Sequence, residues 1–211
     1  MNRWQRSAWP LACLLLIVAS ALAGLAVASG RLPPELLSWR RGDWPHAPWT
    51  LWSGALLHRL APHALANMLA LAALAVLGAA LGARPRDALA LLVAWPLGTL
   101  GLRCWPQVAA YWGLSGPIHA AAAVLALRAL TAADTRWLGL LLGGGLSVKL
   151  ALEHGWESPI AFDAGWGFNV VFAAHLSGAI AGALLAVALN VAGWLRLASA
   201  SATDQRSSDG K

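Results

Sequence analysis

The chain has 211 residues, of which 59% are hydrophobic and 11% are charged, and its formal net charge is +6. Soluble domains carry about 25% charged residues, so this composition excludes an ordinary soluble domain, and the apolar content excludes disorder for most of the chain. Two cysteines exclude a disulfide-stapled scaffold, and basic residues that lie singly between apolar runs argue against a nucleic-acid-binding surface. The composition therefore indicates an integral membrane protein.

Six apolar runs follow one another and predict an all-α membrane protein, with six transmembrane helices in a single domain over residues 1–197. The first loop, 30–61, is long and rich in tryptophan and proline, and predicts short interfacial helices. The tail, 198–211, is polar and rich in serine, and predicts disorder. The six predicted spans are 9–29, 62–83, 87–105, 115–130, 136–152 and 167–194.

The first run has two interpretations. Arg3 and Arg6 precede an apolar stretch that ends at Ala26-Val27-Ala28, a pattern typical of a secretory signal peptide with small residues at its cleavage site. The stretch is about 20 residues long, which exceeds the usual apolar core of a signal peptide and favours an uncleaved helix. The later spans keep their orientation in either case.

The distribution of lysine and arginine predicts the orientation. With the N-terminus in the cytoplasm, nine of the fifteen basic residues lie on the inner side and six on the outer side. The outer six lie mostly in the long first loop, which carries less weight than short loops. The bias therefore favours a cytoplasmic N-terminus.

Polar side chains within the apolar runs are costly in a bilayer, and four of them are candidates for function: His63, Asn67, Ser115 and His175. A rise of 1.5 Å per helical residue places Asn67, Ser115 and His175 roughly 10–13 Å below the outer surface. The span that begins at Ser115 is too short to cross alone, so the backbone before it must dip inward, beside a water-filled cavity or within protein. The sequence thus predicts one polar layer to which three spans contribute.

The residue types in this layer suit nucleophilic catalysis. Gly113-Leu114-Ser115-Gly116 places a serine at the start of a helix, where free N–H groups favour the negative charge of a tetrahedral oxyanion. His175 is the candidate base for the Ser115 hydroxyl. His63 and Asn67, four residues apart on one helix face, could both donate hydrogen bonds to the oxyanion.

These residues also have structural explanations. Ser115 could be an ordinary helix cap, and His175 and Asn67 could join helices by hydrogen bonds. His119, four residues after Ser115, could be a rival base, but it is predicted to stack or hydrogen-bond near His175 because it points along its own helix. His58 is predicted to anchor the loop before the second span.

A metal site is disfavoured because the chain has no His-Glu-x2-His motif and no acidic residue within the core of a predicted span. Four histidines could supply imidazole ligands: His58, His63, His119 and His175. Four residues at the outer end of the fifth run are interpreted as a solvated rim: Lys149, Glu153, His154 and Glu157. The sequence predicts neither a metal nor a cofactor.

Three motifs resemble those of the rhomboid family of intramembrane serine proteases. His58-x4-His63-x3-Asn67 is similar to the family's H-x4-H-x3-N, and Gly113-Leu114-Ser115-Gly116 is similar to its G-x-S-G. Ala174-His175-x2-Gly178-x3-Gly182 is similar to its A-H-x2-G-x3-G. Each motif alone is weak, but the three occur in order and in spans two, four and six. The resemblance covers residues 49–193.

The resemblance implies a six-helix rhomboid-like bundle that cleaves a transmembrane segment of a substrate protein near its outer end. It implies that Ser115 is the nucleophile and His175 the base, without a carboxylate. It further implies that the Ser115 N–H, Asn67 and His63 bind the oxyanion.

The glycines of the motifs have implied supporting roles. Gly113 and Gly116 flank the nucleophile, and Gly178 and Gly182 would let the sixth helix approach the fourth closely. Many family members carry tyrosine four residues after the serine, where this chain has His119. Many also have Trp-Arg before the second helix, where this chain has Trp49-Thr50.

The string Gly-Leu-Ser-Gly-Pro-Ile-His, residues 113–119, is similar to rhombosortases, which remove a C-terminal Gly-Gly-containing anchor from exported bacterial proteins. This likeness implies a multi-pass protein of a bacterial inner membrane, with its active site toward the outer face.

Two other functions stay open. A non-catalytic rhomboid-like binder or chaperone of membrane segments is disfavoured by the intact Ser–His pair. A small-solute transporter is disfavoured because the inner halves of the spans have almost no polar residues.

Overall fold

In the computed structural model of the chain, the backbone is described for residues 3–208 and the side chains for residues 7–192. This part of the chain is mostly helical. Its seven α-helices are α1 Arg3–Ala28, α2 Thr50–Ser53, α3 Ala61–Ala80, α4 Pro85–Gly101, α5 Ser115–Leu130, α6 Arg136–Glu153 and α7 Phe172–Ser208.

Four helical segments in the described residues are long and apolar enough to cross a membrane: Ser7–Ala28, Ala61–Ala80, Pro85–Cys104 and Phe172–Ala192. Helix α5 is apolar but shorter. Helix α6 has 18 residues and carries three charged ones, Arg136, Lys149 and Glu153. The architecture agrees with an all-α protein that crosses a membrane several times, and the total of six spans stays a prediction.

The first loop contains the short helices that the sequence predicts there. Besides α2 it has three 3₁₀ turns, Pro34–Leu36, Arg41–Asp43 and Gly54–Leu56, and a fourth, Leu102–Cys104, follows α4. Between them β1, Trp39–Arg40, pairs antiparallel with β2, Ala110–Tyr111. The Arg41 guanidinium donates to the carbonyls of Leu102 and Val108, which ties the loop to the segment that leads into α5.

A β-hairpin replaces the beginning of the predicted sixth span. Residues 161–170 form β3, Ala161–Asp163, and β4, Phe168–Val170, which pair antiparallel. The Asp163 carboxylate accepts the Gly165 N–H at 2.8 Å, and Gly167 has a φ of +73°. These turn features favour a hairpin here over the beginning of a helix. The predicted start at 167 is therefore wrong, and His175 lies only three residues after the true start of α7.

The other end of α7 is also longer than predicted. The helix continues to Ser208, where the sequence indicated a disordered tail from residue 198, and residues 209–211 lie outside the described residues. Extending an existing helix avoids the cost of nucleation.

Helices α5 and α7 approach each other at two glycines, as the sequence indicated. A Cβ atom added to Gly178 would overlap the carbonyl oxygen of Gly116, and one added to Gly182 would overlap the carbonyl of Ala120. Gly178 also meets α4, since a Cβ added to Gly98 would lie 3.1 Å from the Gly178 Cα. Only glycine lets the three backbones lie this close, and this fixes α7 against the helix that begins at Ser115.

Replacing Gly178 with alanine should destabilise the protein by about 1–3 kcal/mol, because the new methyl group meets backbone that cannot move aside. Thermal unfolding in detergent measures the loss. Gly144→Ala on α6 is the matched control, since nothing lies within 4 Å of its added Cβ. That control should keep or slightly raise stability, because alanine favours a helix over glycine by roughly 0.5–1 kcal/mol. Equal unfolding temperatures for the two variants would contradict the tight α5–α7 contact.

Candidate active site

Ser115 is the first residue of α5 and follows a turn in which Gly113 has a φ of +130°, a conformation that favours glycine. Tyr111 holds this turn from inside. Its hydroxyl donates to the Gly113 carbonyl and accepts the Gly116 N–H at 3.2 Å. Burial raises the pKa of Tyr111 to about 12, so the hydroxyl keeps its proton at neutral pH. The first N–H groups of α5 have no acceptor within the helix, and an oxyanion site needs such donors.

A cavity of about 180 Å³ lies beside Ser115 and His63. The first loop, the segment before α5 and the β-hairpin all contribute to its wall. Its other lining residues are Ser38, Arg40, Arg59, Ala110, Tyr111, Trp112, Phe168, Asn169, Val170 and Val171. The serine and one of the predicted oxyanion residues thus face a common space that a small group could occupy.

His58, His63 and Asn67 form a hydrogen-bonded group at the start of α3. The Asn67 amide nitrogen lies 3.0 Å from His58 Nε2 and 3.2 Å from His63 Nε2, so both rings accept at Nε2. His58 Nε2 also accepts the Leu114 N–H at 3.4 Å, which links the group to the turn before Ser115. Burial, and then the neighbouring His63, lower the pKa of His58 to about 4, so His58 is neutral at pH 7 and able to accept.

This arrangement gives the two predicted oxyanion residues, His63 and Asn67, different roles. His63 lines the cavity, and since its Nε2 accepts from Asn67, its Nδ1 carries the hydrogen that it can donate. Asn67 is not among the lining residues, and its amide hydrogens are directed to His58 and His63. In this geometry Asn67 orients His63. Direct contact between Asn67 and an oxyanion stays a prediction.

His175 lies in the first turns of α7 and is 5% exposed. Its ring stacks on His119, with ring centroids 4.2 Å apart and planes inclined by 8°. His119 Nδ1 donates to the Ser115 carbonyl at 2.6 Å. The stacking predicted for His119 is therefore present, and His119 links the His175 ring to the Ser115 backbone.

The structure does not join Ser115 to His175 by a hydrogen bond. His175 Nε2 is buried and has no partner among the described residues. A buried acceptor without a partner costs free energy. Catalytic hydrogen bonds are often long or misaligned without substrate, so the geometry leaves Nε2 available to a donor that approaches it.

Glu153, the last residue of α6, was missed by the sequence analysis. Its Oε2 accepts a hydrogen bond from His175 Nδ1 at 2.8 Å, and its Oε1 accepts from Lys149 Nζ. The side chain is 11% exposed, so the interpretation of Glu153 as part of a solvated rim was wrong. The sequence carries no signal for this role, because Glu153 directly follows the predicted fifth span and its contact with His175 depends on how α6 and α7 pack. The local arrangement is a carboxylate, an imidazole and a serine from three different helices.

Comparison of the sequence with known protein families finds no family that matches, and comparison with curated proteins finds no match either.

Proposed function

We propose that the chain is a rhomboid-like intramembrane serine endopeptidase that cleaves a transmembrane segment of a substrate protein near its outer end. The single observation that supports it best is the His175 ring. Its buried Nε2 lacks a partner, its Nδ1 donates to Glu153, and it stacks on a histidine that bonds the Ser115 carbonyl. The motif resemblance in three spans supports the same activity.

The proposed reaction uses Ser115 and His63, which line the cavity, together with His175 and Glu153, which are not among its lining residues. Ser115 Oγ attacks the carbonyl carbon of the scissile bond while its proton passes to His175 Nε2. The Glu153 carboxylate stabilises the imidazolium through Nδ1. The Ser115 N–H and the His63 ring donate to the oxyanion. The tetrahedral intermediate then breaks the C–N bond, His175 returns the proton to the leaving amine, and water hydrolyses the acyl-enzyme with His175 again as base.

The substrate class follows from the resemblance of residues 113–119 to rhombosortases. We propose that the substrate is a transmembrane protein whose C-terminal anchor contains Gly-Gly, and that the chain removes this anchor in a bacterial inner membrane. In this proposal the chain has six spans, a cytoplasmic N-terminus and an active site toward the outer face. A helix hides its peptide bonds, so glycines that break the helix would expose the bond to Ser115. Co-expression with such a substrate, followed by mass spectrometry of its new C-terminus, tests this choice.

Labelling with a fluorophosphonate probe tests the proposed activity without a known substrate. The purified protein in detergent should react at Ser115, since an activated serine forms a covalent phosphonate ester. Ser115→Ala should abolish labelling. Ser147→Ala is the matched control and should label normally, because this serine is exposed on α6 and bonds only the Gly143 carbonyl. A folded wild-type protein that does not label would favour the alternative, a non-catalytic binder or chaperone of membrane segments.

Replacing Glu153 with glutamine should lower kcat by about 10²-fold and leave KM nearly unchanged, because the carboxylate stabilises charge on His175 that develops only in the transition state. Steady-state kinetics on a cleaved substrate measure both constants. Glu157→Gln removes an exposed carboxylate from the following loop and should change neither. A rise in KM with unchanged kcat would assign Glu153 to substrate binding.

A further inference from the structure

The cavity beside Ser115 has a basic lining. Two of its lining residues, Arg40 and Arg59, carry a positive charge, and no aspartate or glutamate is found among the described residues that line it. Charges of one sign around a cavity raise the local concentration of a ligand of the opposite sign. The proposed hydrolysis needs only Ser115 and His63 from this lining, so it gives the two arginines no role.

The short β1–β2 sheet directs the side chain of Arg40. The residue before it, Trp39, is 1% exposed, and side chains alternate along a strand, so Arg40 lies on the opposite, exposed face. Ala110, which pairs with Arg40 in the sheet, also lines the cavity. The neighbouring Arg41 guanidinium donates to backbone carbonyls, whereas the Arg40 side chain has no hydrogen bond or ion pair with any residue in the described part of the chain.

Arg59 reaches the cavity from a different segment, just before α3. Its guanidinium carbon lies 5.4 Å from the centroid of the Trp112 ring, and Trp112 also lines the cavity. This cation–π contact holds the arginine in place and leaves its charge without an anionic partner. Asp163, which pairs with Phe168 across the β-hairpin, does not neutralise it, because the Asp163 carboxylate accepts N–H groups of its own turn and is not part of the lining.

A carboxylate is the anionic group of a protein substrate that suits this lining. The planar guanidinium of arginine presents two parallel N–H donors that match the two oxygens of a carboxylate. A cavity of about 150 Å³ is large enough for benzene. The cavity here is slightly larger, about 180 Å³, and so it has room for a short acidic side chain.

The positions of the two arginines indicate which part of a substrate they would meet. Both belong to the first loop, residues 30–61, which the predicted orientation places on the outer side of the membrane. A substrate whose C-terminal anchor crosses the membrane has its exported part on that same side. The residues that precede the scissile bond would therefore lie nearer to the arginines than the residues of the anchor.

We propose that Arg40 and Arg59 are specificity-determining residues, which bind the carboxylate of an aspartate or glutamate a few residues before the scissile bond of the substrate. The proposal rests on the proposed endopeptidase function, since that function defines the scissile bond and the anchor. It adds a requirement that the Gly-Gly likeness does not contain, namely an acidic residue on one side of the cleaved bond.

Binding is measured first, on the full chain carrying Ser115→Ala in a neutral detergent. The probe is a fluorescent synthetic transmembrane peptide with a Gly-Gly site and either aspartate or asparagine shortly before it. The aspartate peptide should bind about 10- to 100-fold more tightly, because its hydrogen bonds to arginine are charge-assisted. Arg40→Gln and Arg59→Gln should each reduce this preference, and Arg59→Lys should keep part of it, because lysine keeps the charge but not the planar fork. Aspartate placed after the Gly-Gly site should give no gain.

Cleavage of the same peptides is then measured on the chain with Ser115 intact. The ratio of kcat/KM for the aspartate and asparagine peptides should follow the ratio of their affinities. Arg59→Glu should favour a peptide with lysine in place of the aspartate. Arg31→Gln is the matched control and should keep the preference of the parent, because Arg31 is exposed in the same loop and does not line the cavity.

The two measurements separate this proposal from the protease itself. Cleavage with equal affinity and equal kcat/KM for the aspartate and asparagine peptides would overturn the specificity role and keep the protease. Preferential binding of the aspartate peptide without any cleavage would remove the protease and keep the carboxylate site. If the arginine variants weaken binding of a fluorescent anionic phospholipid and leave the peptide preference unchanged, the ligand is a lipid headgroup and the proposal is overturned.

Discussion

Replacing Ser115 with alanine should lower cleavage of a substrate by about 10⁴- to 10⁶-fold, because no other group at the site can form the acyl-enzyme. The substitution removes one oxygen atom from the first residue of α5 and leaves the turn bonds of Tyr111, to Gly113 and Gly116, in place. Folding should therefore be unchanged, and the loss should appear in the chemical step alone.

The measurement uses a fusion protein with a Gly-Gly-containing transmembrane segment, reconstituted with the purified protein in vesicles. Product is quantified by gel shift and by the mass of the new terminus. Ser147→Ala, on the exposed face of α6, gives the parent rate if the effect is specific to the site. A Ser115→Ala protein that still cleaves at the parent rate would eliminate the serine mechanism.

Replacing His175 with alanine should reduce kcat by about 10³- to 10⁶-fold, since in the proposed reaction the ring both accepts the serine proton and returns it to the leaving amine. The change also leaves Glu153 without its imidazole partner and exposes the face of His119 on which the ring stacks. Thermal unfolding in detergent must accompany the kinetics to separate a lost base from a lost fold.

His46→Ala, on the exposed first loop, provides the matched histidine control and should turn over normally. The neighbouring imidazole makes the outcome informative in a second way. Substantial cleavage by a folded His175→Ala protein would identify His119, the other ring of the stack, as the base. Complete loss in both kinetics and labelling would assign proton transfer to His175.

The sequence predicted the helices that carry the site because apolar length and polar interruptions are local signals. His63 and Ser115 lie at the beginnings of α3 and α5, as predicted, whereas His175 lies three residues after the start of α7 instead of eight residues after the predicted start. Their mutual distances could not be predicted, because these depend on how the helices pack. Glu153 is 22 residues from His175 in the chain, and no helical periodicity connects the two.

The sequence did not predict two further parts of the site, the β3–β4 hairpin and the role of Tyr111. Strand β4 lies at the beginning of the predicted sixth span and β3 in the loop before it, and the turn residues between the strands favour a hairpin there over a helix. Trp166 and Phe168 from this hairpin place their rings 4.8 Å and 5.3 Å from the His63 ring. Tyr111 is the only tyrosine in the chain, and its role depends on a backbone turn whose shape no spacing rule gives.

The tight glycine contacts have a consequence for how the site responds to its surroundings. Ser115 and His175 lie on α5 and α7, whose backbones are in direct contact, so the relative position of these two helices is fixed. The acidic partner sits on α6, which is held closely against α5 at Gly139 but has open space around Gly144 and Gly145. A thinner or thicker bilayer that tilts α6 about its Gly139 end would shift Glu153 relative to His175. The positions of α5 and α7 relative to each other would not change. Bilayer thickness would then change the rate of the proposed reaction through the carboxylate alone.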